Sequence, residues 1–493
     1  MGEQLTALDA TFLELEEADQ SAHMHIGGVM VLEPQPDGAP PLAQIRRDVV
    51  TRLPDLPRYT QRLSQPRTGG LQWPTWEEDT DFQVERHVFA AGLPAPGSRD
   101  ELMEWAGEYF SQRLDRTKPL WEIAVVELAD GRWALVTKTH HCMVDGVGSV
   151  ELATILLDTE RNPASRPIQP DSNGGAQLGT SAEIETVAWE PTALQRGIAR
   201  LARPALRLGH GAVRAGQSGL HAAEAAVGVA SHPSRARDAF RRSEALAELI
   251  IRDELVAAPH TSLNEPIGAK RTLSVLTVEL EELKQIKRAL GGTVNDVVLA
   301  STAGGLRRLL EHRGEEPPQQ GLRAMVPMNV RTAGEHLAMG NRISSLFVHL
   351  PVAAADAAER YQLQVEEAEG LKSGTQHEGS SLLLDLGNHM PPVLHSFVAR
   401  SLFATRLFNV TVTNVPGPQA PLYYFGSRIE EIWPLVPIAA AHAIGLAVFS
   451  YDGTLYFCLN VDRDSCRDVE VLSQGIESSI AELRELAAAA ATA

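Results

Sequence analysis

The sequence predicts an α/β (α+β) protein of two packed domains, and three observations carry that expectation. Strand-like and helix-like patterns alternate in two large segments of the chain. A stretch of different character separates them, opening at Arg161 as RNPASRPIQPDSNGGAQLGTS, whose Pro, Gly, Ser and Asn suit an exposed linker. The 493 residues, 44% hydrophobic and 22% charged, are enough for two or three apolar cores. The chain thus divides into residues 1–160, 161–260 and 261–493.

In the first part, HIGGVMVLE (25–33) reads as a strand and LAQIRRDVVTRL (42–53) as a helix. RDELMEWAGEYFSQRLD (99–115) reads as a longer amphipathic helix. LWEIAVVEL and RWALVTKTHH read as two strands around the turn Asp130-Gly131, with Trp121 as a core residue at the start of the first. After Gly146, VGSVELATILLD reads as a helix.

The middle part is rich in alanine and arginine. Leu194, Ile198, Leu201, Ala205 and Leu208 recur at helical steps, and Arg196, Arg200, Arg203 and Arg207 follow two positions later. Two residues turn a helix by about 200°, so the arginines lie opposite the apolar stripe, with Pro204 as a kink. Such a helix suits either anionic lipid headgroups or ordinary packing with arginines in water.

The third part alternates again. TLSVLTVEL (272–280) reads as a strand, EELKQIKRAL as a helix, and TVNDVVLASTAGGLRRLLEHR (293–313) as a helix capped by Thr293. GLRAMVPMNVR, NRISSLFVHLP, FNVTVTNVPGP, SRIEEIWPL, HAIGLAVFSY and TLYFCLNVD read as strands, and SCRDVEVLSQGIESSIAELREL as a closing helix.

Composition narrows the function. The formal net charge of -19 argues against general nucleic-acid binding. Cys142, Cys458 and Cys466 are too few for a disulfide scaffold and lack metal-site spacing, which favours a reducing, cytoplasmic setting. The acidic start MGEQLTALDATFLELEE has no signal-peptide pattern. LVPIAAAHAIGLAVF (435–449), interrupted by Pro437 and His442, reads as buried strands rather than a membrane span.

The stretch VTKTHHCMVDGVGS (136–149) concentrates the chemistry. His140 and His141 end a strand, where consecutive side chains point opposite ways. One can face a cleft while the other packs inward. Imidazole accepts and returns a proton near neutral pH, so a presented histidine suits deprotonation of a substrate hydroxyl or amine. Asp145 follows a turn and can orient the motif, and Gly146 allows a tight backbone and an open helix start. No G-x-S-x-G elbow, G-x-x-x-x-G-K-[ST] loop or G-x-G-x-x-G fingerprint is present, which leaves serine hydrolysis, phosphate and dinucleotide cofactors without support. Cys142 as a nucleophile is disfavoured because a strand neighbour of His141 points away. A metal held by His140, His141 and Asp145, with His23 and His25, is the other chemical alternative. Adjacent histidines diverge, and no H-E-x-x-H is present, so no metal is expected.

HHCMVDG matches the H-H-x-x-x-D-G signature of the coenzyme A-dependent acyltransferase superfamily, which includes chloramphenicol acetyltransferase-like enzymes and peptide condensation domains. LTALDATFLELE (5–16), LDRTKPLWEIAVVE (114–127), LNEPIGAKR (263–271), TVNDVVLA (293–300), VPMNVR (326–331), GNRIS (340–344) and VTNVPGP (412–418) resemble, in that order, the bacterial wax ester synthase/diacylglycerol acyltransferase family. Its alanine and arginine usage is similar to that of actinobacterial triacylglycerol synthases. The resemblance implies two chloramphenicol acetyltransferase-like domains with a tunnel between them, acyl-CoA entering from one face and the acceptor from the other. It implies His141 as general base, where the residues alone leave His140 and His141 open. It implies acyl transfer to diacylglycerol or a fatty alcohol in one ternary complex, with acyl-CoA as co-substrate and no further cofactor. Asp145 is expected to hold the turn. Asn295 and Asp296 suit either helix support or substrate contact; Asn414 and Gly417, in the stiff NVPGP loop, suit either substrate contact or a plain turn. Glu265 departs from the glycine of many relatives. Peripheral contact with the inner membrane face or lipid droplets is expected, with no nucleic-acid partner.

Overall fold

The computed structural model describes residues 3–64, 73–143, 156–162, 258–329, 343–373 and 407–492. Among these, two six-stranded sheets each anchor a separate apolar core. The first half contributes α1 (Ala7–Ala18), β1 (His25–Leu32), α2 (Leu42–Arg52), β2 (Gln61–Leu63), β3 (Trp76–Glu78), β4 (Val88–Ala91), α3 (Arg99–Phe110), β5 (Trp121–Glu127) and β6 (Trp133–His140). The second contributes β7 (Arg271–Glu279), α4 (Leu280–Leu290), α5 (Val294–His312), β8 (Leu322–Asn329), β9 (Ile343–Leu350) and α6 (Ala357–Ser373). It continues through β10 (Val410–Pro416), β11 (Tyr423–Tyr424), β12 (Ser427–Leu435), β13 (Ile444–Tyr451), β14 (Thr454–Asp462) and α7 (Val469–Thr492).

The strand order is β11-β12-β1-β6-β5-β4 in one sheet and β7-β14-β13-β10-β8-β9 in the other. β11 and β12 come from the third part of the chain yet pair in the first sheet. β12 runs antiparallel along β1 from Gly27↔Leu435 to Leu32↔Ile429. Trp433 and Ile429 therefore fill the first core beside Val29 and Val31. At Gly27 a Cβ would stand 1.9 Å from the Thr137 carbonyl oxygen, so β1 and β6 approach as closely as they do only because Gly27 has none.

The expected strands lie where the sequence places them, and Trp121 is buried, its indole N–H donating to the Tyr59 carbonyl at 2.8 Å. The long helix expected over 99–115 ends at Phe110 instead. Lys138, buried beneath it, donates to the Tyr109 and Gln112 carbonyls at 3.1 Å each, and the Ser111 hydroxyl turns back to Gly107. These bonds satisfy the final carbonyls and release the chain. The helix expected after Gly146 and the arginine-striped segment at 194–208 lie outside the described residues, as does most of the linker. Residues 436–443 form a connection before β13 rather than more strand. Among the described residues no helix is long and apolar enough to cross a membrane.

Candidate active site

β6 ends at His140, registered against His25 of β1, and the chain turns at His141. The His141 N–H donates to the Met24 carbonyl at 2.8 Å and the His140 N–H to Leu120 at 2.9 Å, which fixes the main chain of both residues. His141 lies one residue past the strand, and both side chains meet α1, His140 at Glu16 and His141 at Phe12. His140 is 1% exposed and His141 9%.

His140 faces a buried carboxylate. The Cys142 N–H donates to its Nδ1 at 3.1 Å, so the ring proton sits on Nε2, 3.6 Å from Glu16 Oε2. His25 Nε2 lies 3.5 Å from the other Glu16 oxygen. Arg116 donates to Glu16 at 2.7 Å and Arg113 donates to the Glu16 carbonyl. Burial alone would raise the Glu16 carboxyl, but His140, His25 and Arg116 outweigh it and hold the group well below the usual carboxylate range. Burial pushes His140 down and His25 well down, while the carboxylate of Glu16 works against burial at His140. His23, pushed down to about 4 by burial and then by the charge of Arg271, bonds the Ala269 carbonyl across the domain boundary at 3.2 Å.

His141 turns to α1. Phe12 stacks on its ring with centroids 3.9 Å apart and planes 9° from parallel. Phe12 is half-buried on a small apolar cluster of Leu15, Ala22 and Met24, to which Ala439 of the second half is added. This cluster is distinct from both large cores.

The other predicted site residues divide. Asp145 and Gly146 lie outside the described residues. Asn295 and Asn414 meet, the Asn414 amide donating to Asn295 Oδ1 at 3.4 Å. Asp296 closes a capping box: its carboxylate accepts the Thr293 N–H at 2.7 Å and the Thr293 hydroxyl at 2.8 Å. Gly417 is needed for close approach, since a Cβ there would stand 2.3 Å from both the Phe449 ring and the Ser450 carbonyl oxygen. At Glu265 the backbone is ordinary and extended (φ -74°) and the side chain exposed, so the position makes no demand for glycine. Its neighbour Asn264 does the local work, donating to the Ala441 carbonyl at 3.0 Å and accepting from Asn409 at 2.7 Å.

Cys142 is buried in the first core, and burial pushes its thiol well above the usual range, which disfavours a thiolate nucleophile. Among the described residues no group of three or more His, Cys, Asp and Glu side chains is arranged to hold a metal ion. His25, His140 and Glu16 do converge, but Arg116 already occupies the carboxylate.

Sequence reasoning missed Glu16, Arg116 and Phe12 as site residues. The first and last belong to LTALDATFLELE, whose Thr6-x-x-Asp9 start is a helix cap: the Thr6 hydroxyl accepts the Asp9 N–H at 3.1 Å. Read as a helix, that segment sets Phe12 and Glu16 on one face.

Comparison with known proteins gives a consistent answer. Residues 5–298 match the model of the wax ester synthase/diacylglycerol acyltransferase catalytic domain, and residues 339–484 that of its C-terminal domain. The chain is 32% identical over 488 residues to a probable diacylglycerol O-acyltransferase, tgs1, of Mycobacterium tuberculosis, covering 97% of this chain and 95% of that protein. A second probable diacylglycerol O-acyltransferase of that organism, tgs2, is 31% identical over 483 residues, covering 97% and 98%. In three dimensions the chain resembles a wax ester synthase/diacylglycerol acyltransferase from Marinobacter aquaeolei VT8, with TM-score 0.63, 24% identity and coverage of 98% and 100%. It also resembles the starter condensation domain of rhizomide synthetase in complex with C8-CoA and Leu-SNAC, with TM-score 0.59, 16% identity and coverage of 99% and 94%. These two likenesses establish the two-domain, chloramphenicol acetyltransferase-like fold.

Proposed function

The chain belongs to the wax ester synthase/diacylglycerol acyltransferase family, and we propose that it moves a long-chain fatty acyl group from acyl-CoA to diacylglycerol, giving triacylglycerol. The acyltransferase class follows from the family and the acceptor from the names of its relatives. The observation that carries the mechanism is the division of labour between the paired histidines. His140 is sealed, with both ring nitrogens directed at protein groups, while His141, also buried but 9% exposed, lies beside Phe12.

Neutral His141 takes the proton from the acceptor hydroxyl as its oxygen attacks the thioester carbonyl. The tetrahedral oxyanion needs donors, and the candidates are backbone N–H groups near Gly146 and side chains from the third part of the chain. The intermediate collapses, the carbon–sulfur bond breaks, and the imidazolium returns its proton to the departing CoA thiolate. Ester and free CoA result. The reaction needs no cofactor beyond acyl-CoA as co-substrate. Asn295 and Asn414 are the candidates for substrate contact from the second half, supported by their pairing. The capping-box role of Asp296 weighs toward structural support, and Gly417 keeps its strand end close enough to hold Asn414 in place. Because diacylglycerol is a membrane lipid, the protein takes it at a lipid surface, the inner membrane face or a droplet.

The test is an acceptor competition. Purified protein with labelled long-chain acyl-CoA, diacylglycerol and a fatty alcohol is expected to yield mainly triacylglycerol. A product dominated by wax ester would move the assignment to the sister activity. No ester from either acceptor, or full activity in His141→Ala, would end the reading.

A further inference from the structure

α1 carries two side chains one turn apart that meet two consecutive imidazoles. Phe12 covers the face of His141 at 3.9 Å, and Glu16 faces His140 Nε2 at 3.6 Å. Positions i and i+4 share a helix face, so one rigid element addresses both rings. The Glu16 end of that element is tied down, by Arg116 to the carboxylate and by Arg113 to the main chain. Phe12 itself packs on neither large core but on the small cluster with Leu15 and Met24, so filling a domain interior does not account for it. An imidazole at a chain turn has two side-chain torsions to settle. A parallel ring lying on one face fixes the plane of the imidazole.

We propose that Phe12 is a positioning residue for the general base: α1, anchored through Glu16, holds the Phe12 ring against His141 and so sets the plane in which proton transfer occurs. The inference rests on the reading of His141 as base. Misalignment of a base is a loss in the chemical step rather than in substrate binding.

The experiment uses the full chain, acyl-CoA and diacylglycerol. Phe12→Leu keeps an apolar side chain but removes the ring. Phe12→Tyr keeps the ring. The expected result is a kcat about 10- to 100-fold lower in Phe12→Leu with KM for acyl-CoA little changed, and recovery in Phe12→Tyr to within about threefold of wild type. In protein labelled at histidine, the His141 ring resonances should move downfield in Phe12→Leu as the ring current is lost, and stay in place in Phe12→Tyr. Wild-type kcat in Phe12→Leu, or an equal loss in both variants, overturns the proposal. Should Phe12→Leu fail to fold, Phe12→Trp joins Phe12→Tyr, and a large kcat loss in both ring-keeping variants overturns it. His141→Ala separates the two readings. If it is inactive while Phe12→Leu is normal, only the positioning role falls; if it is fully active, the base assignment falls and takes this proposal with it.

Discussion

Gly27 and His442 are two residues whose cost of change can be argued directly. Gly27→Ala sets a methyl 1.9 Å from the Thr137 carbonyl oxygen, where backbone and not a pliant side chain must yield. A loss of about 1–3 kcal/mol or more is expected, read as a fall in Tm. His442 is buried, stacked on Phe408 at 3.8 Å, and burial pushes it down to about 4. His23 is likewise pushed down to about 4. Between the ordinary histidine value and pH 4, the unfolded chain takes up protons that the folded chain refuses. Stability therefore falls as pH drops through that window, by at most roughly 3 kcal/mol per ring. A plot of Tm against pH from 7 to 4 should slope downward, and His442→Phe should flatten it. Glu16 marks the limit of reading such residues from sequence. Its neighbours in the chain say only that it lies in an acidic, amphipathic stretch; its meaning comes from Arg116 and His140, 100 and 124 positions away.

The helix α5 was readable from its first four residues, because Thr293 and Asp296 are a local signal that needs no tertiary partner. That same locality settles what an Asp296 variant should do. Asp296→Ala removes one half of the box and is expected to lower Tm by an amount equivalent to about 1 kcal/mol while leaving KM for both substrates unchanged. A KM rise without a Tm shift would return Asp296 to substrate contact. The end of α3 was not readable, since Lys138, which takes its final carbonyls, belongs to a strand 26 residues beyond Gln112. α6 carries only a weak amphipathic signal and was missed; α1 was missed although its cap was visible. The arginine-striped segment at 194–208 invites its own measurement. If it meets anionic lipid, changing Arg196, Arg200, Arg203 and Arg207 to glutamine should reduce liposome flotation. Equal flotation would remove the segment from any account of lipid contact.

Across the molecule, individual strands were evident from alternation, but their partners were not. β12 reads as a strand from SRIEEIWPL, yet nothing in that run says it pairs with β1 rather than with its sequence neighbours. The first core is consequently completed by Leu422, Tyr424, Ile429 and Trp433, all more than 250 residues from the rest of that sheet. Residues 1–160 expressed alone should lack a paired edge on β1 and show no cooperative thermal transition by circular dichroism. A cooperative transition in that fragment would show that the insertion is dispensable.

The close fit of β12 along β1 has a mechanical corollary. Two lobes stitched together by a shared ladder of main-chain hydrogen bonds cannot gape like jaws without tearing that ladder. An opening for bulky lipid chains would therefore have to come from segments outside that ladder, and not from parting of the two lobes.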